Sequence, residues 1–71
     1  MKEYETTSIK TMEMIVLNKY KDIIKEKSFV RQMVLKSEKD AILMTLSIMG
    51  YSVVCDVDTD LRVTAVHITK I

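Results

Sequence analysis

An α+β fold, with helices first and a β-hairpin last, is what this sequence predicts. Two changes of pattern carry that expectation. Apolar residues recur at helical spacing as far as Met49, and the only glycine follows at position 50. Beyond Gly50 the period drops to two and stays there to the C-terminus, broken once by Asp58-Thr59-Asp60.

The first helix is expected over about 8–26. Ile9, Met12, Val16, Tyr20, Ile23 and Ile24 share one face, with Leu17 on its flank, and Lys10, Asn18, Lys21, Asp22 and Lys25 take the other. Thr7 or Ser8 can cap its start, while Lys25 and Lys27 complement the negative end of the helix dipole. Glu13 is the misfit, a carboxylate within the apolar stripe.

A second helix is expected over 37–49. Ser37 and Asp40 have capping-box spacing, and Gly50 stands where a helix closes in a left-handed residue. From Ala41 to Met49 no residue is charged, so apolar positions point almost all round and the helix needs cover on more than one side. The stretch Phe29 to Leu35 reads two ways. Alternation allows a third short strand at 29–35, yet Val30, Val34, Ser37, Ala41, Met44 and Ile48 are spaced 4-3-4-3-4, which suits one helix starting near 29. The side-chain propensities lean toward helix.

Strands are expected over 51–58 and 61–70. The shortest turn pairs Val57 with Leu61, Cys55 with Val63, Val53 with Ala65 and Tyr51 with His67, setting Asp56 against Arg62 on the other face. That register puts Val54, Val66 and Ile68 together on the second face of the sheet, which is then too apolar to be simply solvated.

At 8.2 kDa the chain is expected to be one small domain, 1–71, burying only about 60% of its unfolded surface. Small domains supplement such a core with disulfides, metals or oligomerisation. Cys55 is the only cysteine, so an intrachain disulfide and a cysteine-rich metal site are both excluded. Oligomerisation remains. A net charge of +1 gives no field that would gather polyanions. Apolar runs reach about four residues, against about 20 for a bilayer span, and the acidic start MKEYETTSI is unlike a signal peptide. A reducing, cytoplasmic setting is the expectation. The Lys-, Ile- and Met-heavy usage suits an AT-rich genome, such as that of a bacterium, phage or mobile element.

No catalytic, cofactor or metal site emerges. Asp56-Val57-Asp58-Thr59-Asp60 begins like a calcium loop, but Leu61 stands where such a loop has glycine and His67 where it has glutamate. Cys55 and His67 lie roughly 13 Å apart in the expected register, too far for proton transfer. The expectation is a non-catalytic interaction or regulatory protein, not an enzyme, acting as a homodimer or with another protein partner. Met14, Met33, Val54, Val66 and Ile68 are the expected interface residues. The alternative is a nucleic-acid-binding regulator using Lys21, Lys25, Lys27 and Arg31 from the Lys/Arg cluster over 19–39. No membrane contact is expected.

Overall fold

The computed structural model describes the backbone of residues 2–71 and the side chains from residue 8 onward. Helix α1 (Lys2–Lys25), helix α2 (Phe29–Ile48), strand β1 (Tyr51–Val57) and strand β2 (Val63–Lys70) follow in chain order. Two helices followed by an antiparallel hairpin is the α+β arrangement that the change of period predicts.

Helix α2 runs unbroken through the ambiguous stretch, and no strand forms at 29–35. Its cap is Ser28, not Ser37. The Ser28 hydroxyl accepts from Arg31 N at 3.4 Å, and Ser28 N donates to a Glu26 carboxylate oxygen at 3.0 Å. The Gln32 amide also donates to the Ile23 carbonyl at 3.1 Å, tying the first turns of α2 to the last turn of α1. With the start fixed at this corner, Ser37 becomes an ordinary mid-helix position. At the other end Gly50 adopts φ +89°, the left-handed geometry a helix exit favours, and the chain reverses directly into β1.

The hairpin forms in a different register from the shortest-turn solution. Val53 faces Ile68, Val54 faces His67 and Cys55 faces Val66, so paired positions sum to an odd number instead of an even one. The turn decides this. Asp58 accepts from both Asp60 N and Arg62 N at 2.9 Å, and Leu61 takes φ +62° in the loop instead of entering the strand. Thr64 is then the extra residue of a bulge between the Asp56–Ala65 and Val57–Val63 pairs, its hydroxyl donating to the Asp56 carbonyl at 3.3 Å. Changing the parity turns β2 over: Val66 and Ile68 face inward, and Asp56 bonds His67 instead of facing Arg62.

α1 packs on β2 and α2 packs on β1, giving a helix layer beneath a two-stranded sheet. Val16, Leu46, Val66 and Ile68 form the buried centre, ringed by half-buried Ile9, Met12, Leu17, Tyr20, Ile42, Leu43, Tyr51, Val53 and Cys55. That centre is thin. A compact monomer of this mass would expose about 4,500 Å², whereas this chain exposes 5659 Å². Its radius of gyration is 13.0 Å, against about 11 Å for a compact domain of this length.

Candidate interaction surface

Helix α2 carries much of the exposed apolar surface. Val30, Val34, Ser37, Ala41, Met44 and Ile48 are all exposed, Val30 at 70%, Met44 at 65% and Ile48 at 79%. Their 4-3-4-3-4 spacing is that of a coiled-coil seam, and at 1.5 Å per residue they span about 27 Å. The opposite line of the same helix is Gln32, Lys39 and Leu46, spaced by sevens. Gln32 bonds α1, the Lys39 ammonium lies 5.2 Å from the centre of the Tyr20 ring, and Leu46 is buried. The chain therefore covers one side of α2 and leaves an apolar seam on the other. Polar groups beside the seam are already engaged: Thr45 donates to the Ala41 carbonyl at 2.9 Å, and Glu38 pairs with Lys19.

The two sheet edges differ. Ile71 N donates to the Gly50 carbonyl at 2.9 Å, so by antiparallel alternation the backbone groups of Ile68 and Val66 point away from β1, and those of Tyr51, Val53 and Cys55 point away from β2. On the β2 side, α1 supplies Glu13, whose carboxylate accepts from Ile68 N at 2.8 Å. The misfit of the α1 stripe is thus a plug for the outer edge of β2. Among the described residues no strand lies beside the outer edge of β1.

Of the five residues expected at an interface, Met14, Met33 and Val54 are exposed on three different elements, while Val66 and Ile68 belong to the chain's own core. The six-residue seam was visible in the sequence as a spacing. What the sequence did not reveal is that the seam points away from the protein, because a seam turned toward α1 would read identically.

The basic cluster is partly neutralised. Arg31 lies 3.5 Å from Glu26, Lys19 pairs with Glu38 and Lys39 lies 3.1 Å from Asp40. Lys21 and Lys25 flank a shallow groove that also holds Arg62 and Asp58, and Lys27 is exposed beyond it. Lys25 and Arg31 also line a neighbouring groove with Asp22, Glu26 and Leu35, so acidic groups are interspersed among these basic ones.

Cys55 faces inward and His67 outward, so the two never approach a common reactant. The Asp56 carboxylate lies 2.8 Å from His67 Nε2, and this hydrogen bond, with the carboxylate's charge, raises the imidazole pKa above its ordinary value. Burial raises the Tyr20 pKa, helped by a hydrogen bond with Cys55 and by the charge of Asp40. A mainly apolar hollow near the Met49 end of α2 is lined by Ser8, Ile9, Met12, Leu46, Met49, Tyr51 and Ile68, and among the described residues no carboxylate, imidazole or thiol lines it. Among the described residues no three His, Cys, Asp or Glu side chains are grouped to hold a metal ion, and no helix is long and apolar enough to cross a membrane. Comparison with protein families, curated proteins and solved structures finds no match to this chain.

Proposed function

We propose that this chain is a non-catalytic interaction protein that works as a homodimer, with the outer seam of α2 as its dimer contact. One observation carries the reading: six positions at coiled-coil spacing, all exposed, run the length of a helix whose opposite side is engaged by its own chain. A seam of this length left in water is a large apolar patch, the kind of surface that marks an interaction site. A second copy is the partner always present at equal concentration, and small chains gain stability this way. The regulatory role expected from the sequence follows this reading, with the paired form as the active species.

The test is Met44→Lys combined with Ile48→Lys. Both side chains are exposed in the single chain, so its own core is untouched. Each copy loses two apolar groups worth about 1.5 kcal/mol apiece, so a dimer loses about 6 kcal/mol, on the order of 10⁴-fold in dissociation constant. Sedimentation is expected to show a dimer for the wild type and a monomer for the variant. A wild type that stays monomeric at several hundred micromolar overturns the reading.

A further inference from the structure

We propose that the outer edge of β1 receives an extended segment of another protein, which joins the sheet as a third strand with apolar side chains at every second residue. This contact uses none of the seam residues of α2, so it goes beyond the homodimer reading and stands without it.

The chemistry of the edge selects the kind of occupant. Tyr51, Val53 and Cys55 each turn an N–H and a C=O away from β2. Donor and acceptor therefore recur about every 6.8 Å, twice the rise of an antiparallel strand. Another extended backbone presents partners at that same interval and can satisfy all of these groups at once. Edge strands that stay single are ordinarily guarded by lysine, proline or a bulge. β1, YSVVCDV, has neither lysine nor proline, and the bulge of the hairpin lies past Cys55, at Asp56 and Val57. The opposite edge is guarded, because Glu13 takes the outward amide of Ile68.

The helix layer leaves room for that strand. Packed helices stand about 10 Å apart and paired strands about 4.8 Å apart, so two helices overhang a two-stranded sheet on both sides. α2 packs on β1 and is the helix that projects past it. A third strand would be centred about 7 Å from the middle of the hairpin and α2 about 5 Å, so the strand would lie along α2. A groove between β1 and α2 is found there, its walls including Tyr20, Leu43, Tyr51, Val53 and Cys55, with Ser47 and Ser52 interrupting the apolar surface. No residue of β2 lines it, which places it on the outer side of β1. Residues of the added strand that face Tyr51, Val53 and Cys55 share their side of the sheet and enter this groove. The residues between them point to solvent beside Ser52, Val54 and Asp56. Apolar side chains are therefore required at alternate positions only.

The same overhang excludes a second copy of this chain. Antiparallel pairing of two β1 edges would put the axis between them about 5 Å from the middle of each hairpin, where α2 itself lies. The two α2 helices would then occupy one space. Pairing β1 with a neighbour's β2 fails in the same way, because α1 lies beneath β2. A copy turned over would keep its helices clear, but it would present Ser52 and Asp56, or His67 and Thr69, to the apolar groove. The occupant is a strand with no helix of its own beneath it.

Selection on the wild-type chain from a displayed library of random segments seven residues long, the length of β1, tests the edge. The selected segments are expected to alternate apolar and polar residues. Each is then synthesised and N-methylated at successive residues. Binding is expected to weaken about tenfold or more at every second position and little at those between, because only alternate amides of an added strand face β1. The Val53 and Cys55 amides are expected to gain protection from hydrogen exchange when the peptide binds. Val53→Pro removes one outward N–H and spares the β1–β2 ladder, whose β1 bonds belong to Ser52, Val54 and Asp56. It is expected to weaken binding about tenfold or more while exchange at the Val54 amide stays slow. A library that yields no binder, or an N-methyl scan without a period of two, overturns the proposal. Binders lost with Met44→Lys and Ile48→Lys but kept with Val53→Pro dock on the seam, and overturn it too. Sedimentation reads the homodimer separately, so the two readings fail independently.

Discussion

Replacing Glu13 by Ala removes the acceptor for Ile68 N–H at the outer edge of β2, a contact of 2.8 Å between residues 55 apart in sequence. Ile68 is among the most buried residues of the chain, and Glu13 itself is half-buried, so water reaches this amide poorly. An unsatisfied amide in such a place costs about 1–3 kcal/mol, and bonds to a charged acceptor sit toward the upper part of that range. For a chain of this length each kcal/mol is worth about 4–8 °C in melting temperature. Glu13→Ala is therefore expected to melt about 10–15 °C below the wild type, followed by circular dichroism at matched concentration. Glu13→Gln keeps an acceptor oxygen and is expected to lose about half as much. The paired readout is hydrogen exchange at Ile68 N, which is expected to accelerate in the Ala variant well before exchange across the β1–β2 ladder does. Melting within 2 °C of the wild type, with unchanged exchange at Ile68, refutes the idea that this carboxylate seals the edge.

Two further substitutions probe the hairpin. Leu61 is 85% exposed and holds φ +62°, a geometry that costs a side chain roughly 1 kcal/mol and glycine almost nothing, so Leu61→Gly is expected to raise the melting temperature by a few degrees; a fall would refute the strain argument. His67 is expected to titrate above its ordinary value because Asp56 favours the imidazolium, and Asp56→Asn is expected to bring it back down, read from the His67 ring proton by NMR. The sign follows from a raised folded-state pKa: the contribution is complete below the ordinary value of 6.5 and disappears as pH rises through the folded-state value. A stability profile moving the other way near neutrality in wild type alone would contradict the pairing.

Local patterns determined a large part of this protein. The two helical periods, the glycine exit at position 50, the switch to alternation and the acidic turn each follow from short-range chemistry and each is present, although α1 begins at Lys2 instead of after a Thr7 or Ser8 cap, α2 begins at Phe29 instead of 37, and β2 begins at Val63 instead of 61. Even the seam of α2 is legible as a spacing. Three matters were decided only by the tertiary structure. The parity of the hairpin was open because both faces of β2 carry apolar residues; the Asp58 turn and the Thr64 bulge resolved it and turned Val66 and Ile68 inward. The choice of Ser28 over Ser37 as the cap depended on the corner with α1, where Glu26, Gln32 and Ile23 hold the start of α2. The role of Glu13 depended on a backbone amide 55 residues away, which no local pattern names. Periodicity reports which residues share a side of an element. Which side meets the rest of the chain is settled only when distant elements compete to cover it, and here α1 and the sheet cover one side of α2 and leave the other exposed.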